Sequence, residues 1–126
     1  LIVSGAFIGS DMTDDTEREW MASTLKTSYT YSDNNSTASA VTFGVDTNFE
    51  IYRTPNAKHY AAQQVDVVSS LSPAYCAMQY ADGTSAAVAY DGADYKCFTV
   101  GFPLECITSP VKMRQIMSGI LNFVLK

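Results

Sequence analysis

The sequence predicts an α/β fold. The expected form is a three-layer-like sandwich, with a mixed sheet, an antiparallel hairpin extension and a C-terminal helix. Three observations carry this expectation. The short apolar run "LIVSG" (1–5) has the pattern of a strand covered on both faces, as in parallel sheets. Asp82-Gly83, between "YCAMQYA" (75–81) and "TSAAVAYD" (84–91), marks a hairpin, because Asp-Gly suits a tight turn with positive φ. Ser109-Pro110 starts a segment whose apolar residues recur at helical spacing.

The elements follow in order. After "LIVSG", "AFIGSDM" forms a loop. Residues 14–26, "DDTEREWMASTLK", read as a helix with acids in the first turn and Lys26 in the last, matching the helix dipole. Trp20, Met21 and Leu25 are its expected buried stripe. "SYTYS" is a candidate strand and "DNNST" a polar turn. "ASAVTFGV" (38–45) and "NFEIYR" (48–53) are two strands joined by "DT", and "TPNAKH" is a loop. "AAQQVDVVSSLSP" reads as an irregular strand ending near Pro73, followed by the Asp-Gly hairpin. "DGAD" makes a second turn, and "YKCFTVGF" (95–102) another strand. Val111, Met113, Ile116, Met117, Ile120, Leu121 and Val124 then form the core stripe of the last helix.

With 126 residues, no linker and no internal repeat, the chain is expected to form one domain, residues 1–126. It opens on a strand without an initiating Met, and is expected to be the C-terminal portion of a longer natural domain or protein, with any targeting signal upstream. Hydrophobic residues make up 47% and charged residues 17%, a well-buried composition. A net charge of −5 argues against nucleic acid, since nothing would neutralise phosphates. No Lys/Arg cluster addresses an anionic membrane, and no apolar run reaches the length of a membrane span. Cys76, Cys97 and Cys106 lack metal-type spacing; they read as buried thiols, with a single bridge between neighbouring strands as the alternative.

Two stretches carry the candidate site. "GAFIG" (5–9) follows a buried strand and leads toward a helix, the layout of a nucleophile elbow. Its central residue is Phe7, which has no nucleophilic atom. "VGFPLE" (100–105) ends a strand with an aromatic, a proline and Glu105. The candidate degenerate site is Phe7, Ser10, Asp11, Phe102 and Glu105, and no catalytic residue, metal or cofactor is expected. Other constellations are weaker. His59, the only histidine, would have to meet Ser10 and Asp11 from a loop. Asp11, Asp14, Asp15 and Glu17 lack the glycine and closing glutamate of an EF-hand, and suit a solvated helix start. "NNST" contains overlapping glycosylation sequons. The many tyrosines offer flat apolar faces for sugar stacking wherever they reach the surface.

Together "LIVSGAFIGSDM" and "GFPLECI…MRQIMSGILNF" resemble the class I glutamine amidotransferase-like family. The likeness is to one branch, the domains of large secreted Bacteroidetes proteins of the xanthan lyase or golvesin-related type. In that family a cysteine occupies the elbow, and a strand-end F-H-P-E motif supplies the histidine and glutamate. Here Phe7 stands at the cysteine position and no histidine stands near 101–104, while Glu105 keeps the place of the acid. A triad acid orients an imidazole and stabilises its charge, so Glu105 has nothing to orient. The resemblance thus implies the fold without the reaction: a pseudoenzyme, accessory to a larger extracytoplasmic bacterial protein. Its expected partners are neighbouring domains and carbohydrate. The alternatives are a hydrolase or lyase that reuses the elbow pocket through Ser10, Asp11 and Glu105, and an oligomerisation module that pairs copies of itself.

Overall fold

A computed structural model describes residues 1–33, 37–40, 48–52, 54 and 62–126. In chain order its elements are β1 (Ile2–Ser4), α1 (Asp15–Trp20), a π-helical segment (Met21–Leu25), β2 (Thr27–Asp33), β3 (Thr37–Ala40), β4 (Asn48–Glu50) and β5 (Val65–Ser70). Then come β6 (Tyr75–Tyr80), β7 (Ser85–Asp91), β8 (Lys96–Val100), a 3-10 turn (Leu104–Cys106) and α2 (Pro110–Leu125). Among the described residues, six strands form a sheet in the order β1-β8-β7-β6-β3-β4, and β2 and β5 form a separate antiparallel pair. Of these strands only β1 runs parallel to its neighbour, β8; the other pairings in the large sheet are antiparallel. This is the α/β arrangement expected, a mixed sheet with an antiparallel extension and a terminal helix.

Strand periodicity explains the layers. Successive residues point to opposite faces, so Cys97 and Phe98 serve different cores. Phe98 shares a core with Ile116 and Ile120 of α2 and meets Phe123 edge-on, with ring centroids 6.1 Å apart. On the opposite face Val88 and Cys97 pack with Met21, Leu25 and Val68, which brings the π-helical segment and β5 onto the sheet. Strands β7 and β8 are therefore buried on both sides, which accounts for their nearly continuous apolar runs.

Local signals set most boundaries. Asp14 caps α1 by accepting from the Glu17 amide at 2.8 Å, while Glu17 reaches back to the Thr13 and Asp14 amides. Gly83 adopts φ +87 in the β6–β7 hairpin, where Asp82 accepts from the Thr84 amide. Ser109 accepts from the Lys112 amide, and Pro110 occupies the first position of α2. The three cysteines are thiols, not disulfides.

Three expectations change. The helix over 14–26 passes from α to π geometry at Met21 and ends at Lys26 in the left-handed region, φ 53. Trp20 is 46% exposed and not part of a buried stripe: Met21 and Leu25 share a face, and Trp20 lies about 100° from Met21 around the axis. In α2, Val111 and Leu121 are exposed, because each sits about 140° around the helix from Ile116, which faces the sheet. Residues 65–70 form the strand expected there, paired along β2 with a register shift between Tyr29 and Tyr31. The "DT" connection, most of the "TPNAKH" loop, His59 and most of "NNST" lie outside the described residues.

One buried group stands out in the second core. Thr99 is fully buried and its hydroxyl has no hydrogen-bond partner. An unsatisfied buried hydroxyl costs about 1–3 kcal/mol, so Thr99→Val, which keeps the shape, is expected to stabilise the fold by about 1 kcal/mol. Urea denaturation checks this through a higher midpoint at an unchanged slope.

Candidate functional site

The loop after β1 is built as a tight coil. Phe7 accepts from the Asp11 amide at 2.9 Å, and Gly9 accepts from the Met12 amide at 3.1 Å. Its tip, Phe7, is 52% exposed. Gly9 is required by close approach, since a Cβ there would lie 2.8 Å from the Tyr29 side chain.

What secures this loop is a carboxylate from β5. Asp66 is fully buried. Its Oδ2 accepts from the Gly9 amide at 2.8 Å and from the Ser10 amide at 3.2 Å. Its Oδ1 accepts from Ser32 Oγ at 3.0 Å, and Ser32 also pairs with the Tyr29 hydroxyl at 2.8 Å. Burial raises the Asp66 pKa, and the bonds from Gly9, Ser10 and Ser32 oppose that rise. Ser10 Oγ lies close enough to help lower the pKa but completes no hydrogen bond of ordinary geometry. Asp66 is not among the site residues expected from the sequence. Its signal there is a lone acid inside the buried run "VDVV".

The backbone of Asp66 is held as firmly as its side chain. Its amide donates to the Gly101 carbonyl at 2.7 Å, and its carbonyl accepts from the Tyr80 hydroxyl at 2.8 Å. Burial raises the pKa of that Tyr80 hydroxyl, with the Asp66 charge adding to the effect. Gly101 in turn donates to Ala86 at 2.8 Å. The glycine of "TVGFPLECI" is thus the point where β5 crosses onto the large sheet.

The second motif follows a different path. Phe102 is fully buried, with its ring 5.8 Å from Phe49 and 6.3 Å from Tyr80. The chain then reaches the β4 edge, where Cys106 accepts from the Tyr52 amide at 2.8 Å and Glu50 from the Thr108 amide at 2.9 Å. Glu105 is exposed there. Burial, with the Glu105 charge adding to it, pushes the Cys106 thiol up to about 11. Because β1 and β4 are opposite edges of the sheet, Phe7 and Glu105 belong to different places. Of the five candidate residues, only Ser10 joins the Asp66 cluster; Asp11 is exposed and Phe102 is core.

Two open grooves accompany these features. One, of about 390 Å³, lies between α1 and β2 and is lined by Met12, Arg18, Met21, Ser28, Tyr29 and Thr30. The other, of about 400 Å³, lies between the ends of β6–β8 and α2, and includes Tyr75, Asp91, Lys96, Asn122, Phe123 and Lys126. In the latter Lys96 forms an ion pair with Asp91 at 3.2 Å and sits 5.4 Å from the Phe123 ring centroid. Among the described residues no group of three or more His, Cys, Asp or Glu side chains could hold a metal, and no helix is long and apolar enough to cross a membrane. No family model, curated protein or solved structure matches this chain.

Proposed function

We propose that this chain is a non-catalytic accessory module of a larger extracytoplasmic bacterial protein, and that it holds carbohydrate in the groove between β6–β8 and α2. One observation carries the non-catalytic part. Asp66, the buried carboxylate beside the elbow, is occupied in fastening the loop, while Glu105 faces solvent at the opposite sheet edge. A triad needs nucleophile, base and acid within hydrogen-bond reach, and Phe7 supplies no nucleophile. The setting in a secreted protein rests on the resemblance of residues 1–12 and 101–123.

The groove supports the binding part by its chemistry. Tyr75 and Phe123 provide apolar ring surface, and Asp91, Lys96 and Asn122 surround it with acceptors and donors. Sugars present CH faces and hydroxyl edges, and such a mixture serves both. The test is titration calorimetry of the chain with soluble neutral and acidic polysaccharides. Binding is expected, and Asn122→Ala, an exposed position, is expected to weaken it about fivefold, the loss of one net hydrogen bond. Binding unaffected by that change removes the groove from the proposal. Ammonia release from glutamine is expected to stay at the buffer level, and release above it overturns the non-catalytic reading.

A specific observation also favours the assembly reading. Val111, Leu121 and Leu125 are exposed along one side of α2. Light scattering separates the two readings, because a self-associating module gives a mass that rises with concentration.

A further inference from the structure

The groove between α1 and β2 is distinct from the proposed sugar site, and its chemistry is different. Its floor and walls include Met12, Met21 and Tyr29, so most of a small ligand's surface would meet apolar atoms. At its side stands a single cation, Arg18. The chain is acidic overall, at net charge −5, and Arg18 is flanked in sequence by Asp15, Glu17 and Glu19. Yet among the described residues no carboxylate pairs with it. Glu17 is committed to the Thr13 and Asp14 amides, closing the start of α1.

Arg18 is nevertheless held in place. Its Nε donates to the Met12 carbonyl at 3.0 Å. Met12 in turn is fixed by the elbow coil, through the hydrogen bond its amide donates to the Gly9 carbonyl and the grip of Asp66 on the Gly9 amide. The guanidinium is thus oriented by the main chain while its two Nη groups keep their donors. A planar fork of this kind matches a carboxylate with two parallel hydrogen bonds. Ser28 adds a hydroxyl, whereas the Thr30 hydroxyl is already paired with Ser69 at 2.9 Å.

We propose that this groove binds a small carboxylic acid with an apolar body, its carboxylate on Arg18 and its alkyl or aryl portion against Met12, Met21 and Tyr29. Charge complementarity selects the acid. The volume, about 390 Å³, lies in the lower part of the range occupied by small-molecule sites and selects a compact occupant over a polymer. The elbow then has a use without a nucleophile: it forms one wall of the groove and sets the arginine.

The experiment is a chemical-shift titration of the isotope-labelled chain with phenylacetate and hexanoate, with phenylacetamide as the neutral control. Shifts are expected at Met12, Arg18 and residues 28–30, with the amide binding at least about tenfold more weakly than the acid, the scale of one charge-assisted pair. Arg18→Met is expected to weaken phenylacetate binding about tenfold, and Arg18→Lys, which keeps the charge without the fork, to recover part of it. Circular dichroism checks that both variants stay folded. Equal binding of acid and amide, insensitivity to Arg18→Met, or no shift at the groove with any probe overturns the proposal. An acetylated peptide with a free apolar C-terminus that binds more tightly than either small acid overturns the small-molecule occupant and assigns the groove to polypeptide ends. Polysaccharide binding at the α2 groove is unaffected by each of these outcomes.

Discussion

Gly101→Ala is expected to destabilise the protein by about 3 kcal/mol or more, at the upper end of what overpacking costs. The reason is geometric. A Cβ at position 101 would lie 2.1 Å from the main-chain oxygen of Asp66, a contact no side chain can relieve. The strand β5 would have to lift away. That would lengthen the bond from the Asp66 amide to Gly101, now 2.7 Å, and disturb the Tyr80 hydroxyl on the Asp66 carbonyl. Because Gly101 also donates to Ala86, the damage would spread from the crossing point into β7. Chemical denaturation measures the loss. A variant within about 0.5 kcal/mol of the parent, the ordinary range for a surface change, would mean that β5 does not cross there.

The second large effect is expected at Asp66. Asp66→Ala removes the acceptor for the Gly9 and Ser10 amides, and is expected to cost about 3 kcal/mol through unsatisfied polar groups. Asp66→Asn keeps an oxygen for those amides and places an amide near Ser32, and is expected to cost about 1 kcal/mol. The pH dependence gives a separate reading. Burial holds the native pKa above the ordinary 3.8, so between that value and the raised one the native state binds more protons than the unfolded chain. The stability contributed by Asp66 therefore falls as pH rises through this window. The difference in unfolding free energy between parent and Asp66→Asn should shift against the parent from below pH 3.8 upward. A difference that shifts in favour of the parent would mean a carboxylate stabilised in its charged form, with the hydrogen bonds from Gly9, Ser10 and Ser32 outweighing burial.

Both effects sit at residues whose importance the sequence only partly reveals. Gly101 is visible in "TVGFPLECI", but the oxygen that forbids a side chain there comes from position 66, 35 residues earlier in the chain. Asp66 is visible as an acid in an apolar run, but its partners, Gly9, Ser10 and Ser32, are brought to it only by packing. The elbow illustrates the same division. Its glycines and its strand-to-helix layout are legible at 5–9, whereas the distance between Phe7 and Glu105 depends on which sheet edge each motif reaches.

What the sequence by itself determined is the set of local elements: a helix starting near residue 14 with acids in its first turn, the Asp82-Gly83 hairpin, the Ser109-Pro110 start of α2, and the strands with buried runs. Capping, turn geometry and residue period act over a few neighbours, so they can be read along one line. The tertiary structure alone decided that β2 and β5 leave the main sheet as a pair, and that a buried aspartate fastens the elbow. It also decided that Arg18 stands beside an apolar groove, with no acidic partner among the described residues. These depend on which faces meet and on the loss of water around the groups between them, and neither is a property of any short stretch of chain.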